Sequence, residues 1–229
     1  MNKLFIPLSI IVAGAIIGGA VVLTNKAPNV NPSVAQNETL ELELAPITDS
    51  DHIKGNPDAE VLIVEYSDFE CPFCSGFHGT MSRIMDEYGD SGKVAWVYRH
   101  MPLDRIHQKA RPSSEASECV ANLAGAEKFW DFADAMFANQ EENLEASKMR
   151  EIALSLGVDG GAYDTCVSER TYQDRVEKDY QDGLNIAKVD PNFGTPYNIL
   201  ISKDGVQIPI IGNQPYAQVK AAIDAALTE

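Results

Sequence analysis

Residues 60–66, EVLIVEY, form an apolar and largely β-branched run that ends five positions before the pair Cys71-Pro72-Phe73-Cys74. A run of that composition suits a strand buried on both faces. Beyond it, Phe73, Phe77, Met81, Ile84, Met85 and Tyr88 recur at intervals of three and four, which predicts an amphipathic helix over about 71–88. A buried strand that turns into a helix at two cysteines leaves few folds open. A strand therefore meets the cysteine pair, which opens the helix.

The remaining pattern fits such a sheet. Residues 93–102, KVAWVYRHMP, read as a second strand ended by Pro102. From about 105 to 187 strand signals vanish, and helical periods cover 113–123, 128–139, 146–156 and 162–186. Phe129, Trp130, Phe132 and Phe137 fall at helical spacing there and are read as core. Strands return at 197–202 and 206–211, joined by the turn Lys203-Asp204-Gly205, and a helix over about 215–227 closes the chain. The expected class is α/β: a central mixed sheet flanked by helices, with an inserted all-helical subdomain.

The N-terminus carries a different signal. Residues 4–23 contain no charged side chain, and twenty helical residues at about 1.5 Å each reach the roughly 30 Å of a hydrocarbon core. Lys3 before the run and Glu38, Glu41 and Glu43 after it orient the remainder outside the cytoplasm. The expectation is a single-pass anchor over 1–23, a flexible linker over 24–50 rich in Pro and Asn, and a catalytic domain over 51–229 with its helical insert at about 105–187. That domain is expected in the periplasm or cell envelope, the alternative being secretion after signal cleavage. A formal charge of -16, from 34 acidic against 18 basic side chains, repels phosphates and excludes nucleic acid as a partner. Four cysteines permit disulfide chemistry in such a compartment.

At the cysteine pair the spacing is mechanistic. Pro72 at the first helical position gives up an N–H that would be unpaired anyway. Unpaired N–H groups and the helix dipole then favour a thiolate at Cys71. Cys74, three residues on, faces the same way. Cys71 is therefore read as nucleophile and Cys74 as the resolving thiol, exchanging through a mixed disulfide. The competing reading is a metal-binding or metallochaperone module using Cys71, Cys74 and His78, but no second clustered pair is present to complete a site, and no metal or other cofactor is expected. His78 is otherwise read as a surface or boundary residue, and Glu70 as a solvated neighbour of Cys71.

The CPFC pair opening a helix after EVLIVEYSDFE, the helical block, and Gly194-Thr195-Pro196 before a late strand together resemble the DsbA-like branch of the thioredoxin superfamily. The likeness runs from about Ala59 to the C-terminus. It implies a thioredoxin-like fold and a cis-proline at Pro196, with the backbone of Thr195 pairing with substrate as an added strand. It also makes Glu65, six positions before Cys71, a buried carboxylate that moves protons to or from Cys74. Arg99 is the one central candidate for a cationic partner of Glu65. Phe73 stands where many oxidases of the family carry His, which leaves the helix terminus as the main stabiliser of the thiolate.

Cys119 and Cys166 lie in predicted helices of the insert. A structural disulfide between them is the preferred reading, with free buried thiols or a second redox relay as alternatives. The expected function is thiol-disulfide exchange that forms disulfides in exported proteins, with reductase or isomerase as the same-class alternative. Its partners would be unfolded or newly exported cysteine-containing proteins, a redox protein that recycles the CPFC pair, and the membrane through the N-terminal helix. The oxidase direction is preferred because the compartment is oxidising and the linker leaves no room for a dimerisation domain of the isomerase kind, and a monomer is expected.

Overall fold

Strand β2 (Val61–Ser67) lies at the centre of the sheet, and six of its seven residues are buried. The computed structural model describes residues 42–228. The other strands are β1 (His52–Gly55), β3 (Val94–His100), β4 (Tyr197–Ile201) and β5 (Gln207–Ile211), in the spatial order β1-β3-β2-β4-β5. β2 pairs in parallel with β3, and helix α1 (Pro72–Tyr88) provides the crossover between them. β4 is antiparallel to β2, and β5 returns antiparallel to β4 through a turn in which Gly205 takes φ 81°. The expected mixed α/β sheet is present. β1, pairing antiparallel with β3, is an addition, because four residues with one buried side chain carry too little alternation to announce a strand.

Alternation along β2 and β3 divides the core between two faces. Val61, Ile63, Val94, Trp96 and Tyr98 point to one face, where they meet Phe77, Met81 and Ile84 of α1 and Phe129, Phe132 and Met136 of the helical block. Val64, Tyr66 and Val97 point to the other, with Tyr197, Ile199 and Ile186. Each fully buried side chain of this kind is worth about 1.5–3 kcal/mol. Gly183 lets its helix approach the second face, since a Cβ there would lie 2.7 Å from Met101 Sδ.

The helical block comprises α2 (Ala110–Ala124), α3 (Ala126–Ala138), α4 (Gln140–Asn143), α5 (Ala146–Ser155), α6 (Gly160–Ser168) and α7 (Gln173–Val189); α8 (Tyr216–Ala226) closes the chain. The helix expected over 162–186 is in fact two. Arg170 adopts φ 51°, and the bonds Thr171 N to Cys166 O (3.1 Å) and Arg170 N to Val167 O (3.1 Å) end α6 in a Schellman arrangement. Glycine usually marks such an end. Here the Arg170 guanidinium is held by Glu115 at 2.6 and 3.0 Å, and sequence inspection had no signal for it.

Residues 42–50, assigned above to a flexible linker, pack on the second face. Leu42 is buried, Ala45 N donates to Asp182 Oδ1 at 2.9 Å, and Arg99 Nη2 donates to the carbonyl of Pro46 at 3.2 Å. The expected membrane location is corrected. Among the described residues no helix is long and apolar enough to cross a membrane, and the apolar run at 4–23 on which the anchor rested lies outside them. The single-pass assignment is withdrawn.

Candidate active site

The two free thiols sit where β2 gives way to α1. Cys71 is the residue before the helix, with extended backbone angles (φ -76°, ψ 121°), and Pro72 begins the first turn. Its carbonyl already accepts from Cys74 N at 3.1 Å and Ser75 N at 3.2 Å, so the helix starts on the nucleophile itself. Cys74 is fully buried and receives the backbone N–H of Asp68 at 3.4 Å. Phe73, between the two thiols, is 64% exposed, which leaves an apolar ring at the surface beside the sulfurs.

From the far end of the sequence, the peptide bond Thr195-Pro196 is cis, and Thr195 O accepts the Cys71 thiol at 3.4 Å. The Thr195 hydroxyl is buried and makes no hydrogen bond to a protein group. The Cys71 thiol is held down to about 6, first by the hydrogen bond from the Cys74 thiol, which outweighs the upward push of burial. The Thr195 hydroxyl and the N–H groups of Cys74 and Phe73 add to the effect. The helix start therefore contributes to the thiolate, but the neighbouring thiol contributes most. Cys74 moves the opposite way, raised by burial first, then by its bond to Cys71 and the charges of Cys71 and Glu65.

Glu65 is fully buried on the same face as Trp96 and Tyr98, and its Oε2 accepts Trp96 Nε1 at 2.9 Å while Oε1 has no partner. Burial pushes its carboxyl up to about 8, although the Trp96 indole N–H and the nearby Ser67 hydroxyl oppose the shift. Arg99 is not its partner. Register sets Glu65 opposite Tyr98 and Tyr66 opposite Arg99, so the guanidinium emerges on the other face, where it pairs with Asp51 at 2.9 Å and Asp182 at 2.7 Å.

Two acidic residues just ahead of Cys71 shape the approach to it. Asp68, buried, accepts Leu103 N and His107 Nδ1, both at 2.8 Å, and Glu70 N at 2.7 Å. Glu70 Oε2 accepts Lys109 N at 2.6 Å, so this side chain fastens the loop after β3 to the active segment and is not merely solvated. Gln140 Nε2 donates to Phe69 O at 2.7 Å and Cys71 O at 2.9 Å. Neither Asp68 nor Gln140 was singled out in the sequence. The acid in SDFE was a local signal, whereas Gln140 lies 69 positions from Cys71 in a stretch that reads as a break between helices.

Among the described residues no set of metal ligands gathers at the cysteines. His78 is buried, not at the boundary, and its Nε2 bonds Asp134. A separate group, His52, His100 and Glu118, brings three donor atoms within 4.8 Å of one another. Both imidazole Nε2 atoms bond the same Glu118 Oε1, at 2.9 and 3.0 Å, and Arg175 Nε lies 3.8 Å from it. The carboxylate is satisfied by its neighbours and already has a cation beside it. We read the group as a buried tie between β1, β3 and α2. Cys119 of α2 and Cys166 of α6 are joined by a disulfide, with Cα atoms 6.0 Å apart.

A family model described as Thioredoxin (Thioredoxin_4) matches residues 48–225. The chain belongs to this thioredoxin family. Its DsbA-like architecture is shared with solved structures: Pseudomonas aeruginosa DsbA2 is 26% identical with a TM-score of 0.60, covering 79% of this chain and 95% of that one. BdbD from Bacillus subtilis, in its oxidised form, is 22% identical with a TM-score of 0.68, covering 80% and 96%. Among curated proteins, Na(+)/H(+) antiporter NhaA 1 of Mycolicibacterium gilvum is 38% identical over 134 residues, 58% of this chain and 21% of that protein. The protein of the same name from Mycobacterium sp. strain KMS is 36% identical over 146 residues, 64% of this chain and 22% of that one. The chain thus spans about a fifth of the length of these curated relatives. Thioredoxin family membership and the DsbA-like fold agree with the resemblance drawn from CPFC and Gly194-Thr195-Pro196.

Proposed function

We propose that this chain is a thiol-disulfide oxidoreductase of the DsbA-like kind, working as an oxidase that forms disulfides in cysteine-containing proteins. The observation that carries the reading is the asymmetry of the pair: Cys71 at the helix start, hydrogen-bonded by Cys74, with one thiol pulled down to about 6 and the other raised. In the proposed cycle a substrate thiolate attacks Sγ of Cys71 in the Cys71–Cys74 disulfide. The S–S electron pair leaves on Cys74, which takes a proton from Glu65. A second substrate thiolate then attacks the substrate sulfur of the mixed disulfide, and Cys71 leaves as a thiolate. The substrate dithiol has lost two electrons and the CPFC pair has gained them. A thiolate that is stable at neutral pH is a good leaving group, which favours release of oxidised substrate.

Thr195 and Pro196 are the proposed docking edge, where the substrate backbone lies beside the reactive sulfur, and Phe73 offers it an apolar contact. The proposed partners are unfolded cysteine-containing proteins and a redox protein that reoxidises the pair, with the chain acting as a monomer. The test is turnover of a dithiol peptide by the disulfide form, run beside insulin reduction and equilibration with glutathione. An oxidase gives rapid peptide oxidation and a reduction potential well above that of thioredoxin, about -270 mV. Fast insulin reduction with a potential near that of thioredoxin would make it a reductase, and unchanged turnover in Cys71→Ser would end the assignment.

A further inference from the structure

Between β2 and α1 the chain makes no regular ladder, yet it has to hold a reactive sulfur still. Two carbonyls of this passage, Phe69 O at 2.7 Å and Cys71 O at 2.9 Å, accept from a single group, the side-chain amide nitrogen of Gln140. Both donors of that nitrogen are therefore committed to the segment that carries the nucleophile. Gln140 opens α4 in the helical block, and its position is itself fixed. Asn143 Nδ2 donates to Ala135 O at 2.8 Å, which closes the turn from α3 to α4, and Ser75 Oγ donates to Phe137 O at 3.0 Å, which ties α1 to the same place.

We infer that Gln140 is a positioning residue of the exchange reaction, a clamp from the helical block that holds the Cys71 peptide so that its sulfur stays on the donors of the first helical turn. The inference deepens the proposed oxidoreductase reading and rests on it. Cys71 O is the first carbonyl of the helix, and rotation of that peptide would carry the sulfur away from the N–H groups of Phe73 and Cys74 and from Thr195. A neutral hydrogen bond is worth about 0.5–1.5 kcal/mol, so losing this hold should weaken thiolate stabilisation by about three- to tenfold. The acidic pair Asp68 and Glu70 fastens the same segment to the loop after β3, and of these three side chains Gln140 is the one that reaches the carbonyl of the nucleophile, beside the helical N–H groups of Cys74 and Ser75.

The test uses Gln140→Met, which keeps the length of the side chain and removes both donors, and Gln140→Asn, which keeps the amide but is one methylene too short to serve both carbonyls. The thiolate titration of Cys71 is followed by absorbance at 240 nm and by alkylation rate against pH, with the denaturant midpoint of each variant measured alongside. The expected result is an upward move of the Cys71 titration in Gln140→Met, alkylation at pH 6 slowed by about three- to tenfold, and a smaller change in Gln140→Asn. Variants that lose stability while the Cys71 titration stays at its parent position would overturn the inference, since that is what a purely structural glutamine would do. If Gln140→Met does not fold, the Gln140→Asn titration decides by the same criterion. A parent protein whose Cys71 titrates like a free thiol would instead remove the proposed function, whatever the variants do.

Discussion

The thiol of Cys71 donates to the carbonyl oxygen of Thr195 at 3.4 Å, across 124 positions of sequence. The contact places the reactive sulfur against the one cis peptide bond among the described residues, Thr195-Pro196. It also leaves the buried Thr195 hydroxyl, which makes no hydrogen bond to a protein group, near a sulfur held down to about 6.

From this geometry, Thr195→Val should raise the Cys71 titration and slow alkylation at pH 6 by about three- to tenfold, the worth of one hydrogen bond. Valine has nearly the shape of threonine, so packing is kept and the hydroxyl alone is lost. An unmoved titration in this variant would show that the hydroxyl does not reach the thiolate.

The reduced protein should become more stable relative to its disulfide form as pH rises from about 6 to about 9. Cys71 is depressed from an ordinary 9.0 to about 6 when folded, so its contribution is present in full above 9 and is lost as pH falls through 6. Taking the difference between the two redox forms largely cancels titrating groups other than the pair itself, and the raised Cys74 thiol opposes the trend only as pH reaches about 9. Denaturant melts of both forms at pH 5, 7 and 9 check the sign, and a difference that is flat across this range would count against an acidic Cys71.

Glu65→Gln should give a protein that is more stable and less active. The carboxyl is raised from 4.5 to about 8, so the folded state holds a proton that the unfolded chain releases, and stability falls as pH climbs through that window. Glutamine still accepts from Trp96 and never ionises. The gain should be on the order of 4 kcal/mol at pH 8 and vanish near pH 4. Turnover should fall at least about tenfold, because the proton source for Cys74 is gone. Destabilisation of equal size at both pH values would contradict the account.

Replacing both Cys119 and Cys166 by Ala should lower stability by about 4 kcal/mol, the chain-entropy estimate for a bridge across 47 positions. The two lie in the helical block and not at the CPFC pair, so the rate of thiol exchange per folded molecule should stay within about twofold of the parent. Peptide mass mapping without reductant should find them joined. A large change in exchange rate at equal folded fraction would point instead to a relay between the two pairs.

Much of the architecture was legible because it is written in local periods. The run at 61–67, the three-and-four spacing after Phe73 and the Lys203-Asp204-Gly205 turn each specify their own element. The parts that escaped are those whose cause is not local. β1 pairs along the edge that β3 offers it, and α6 ends before a left-handed Arg170 whose side chain bonds Glu115 of another helix. Arg99 could not serve Glu65, and here the sequence did contain the answer once register was known: residues 98 and 99 point to opposite faces of β3.

The sequence by itself determined the chemistry on offer: two cysteines three apart at the start of a helix, a carboxylate six residues upstream on a buried strand, and a threonine-proline pair before a late strand. Spacing along one helix or strand is enough for that, because turn and pleat geometry are the same in every protein. Only the tertiary structure decided which groups bear on the sulfur. It brought Thr195 to Cys71, turned Arg99 away to Asp51 and Asp182, and reached Gln140 across to the carbonyls of Phe69 and Cys71. Those pairings depend on sheet register and on how the helical block seats against α1, and the free energy that selects them is spread over the packed core.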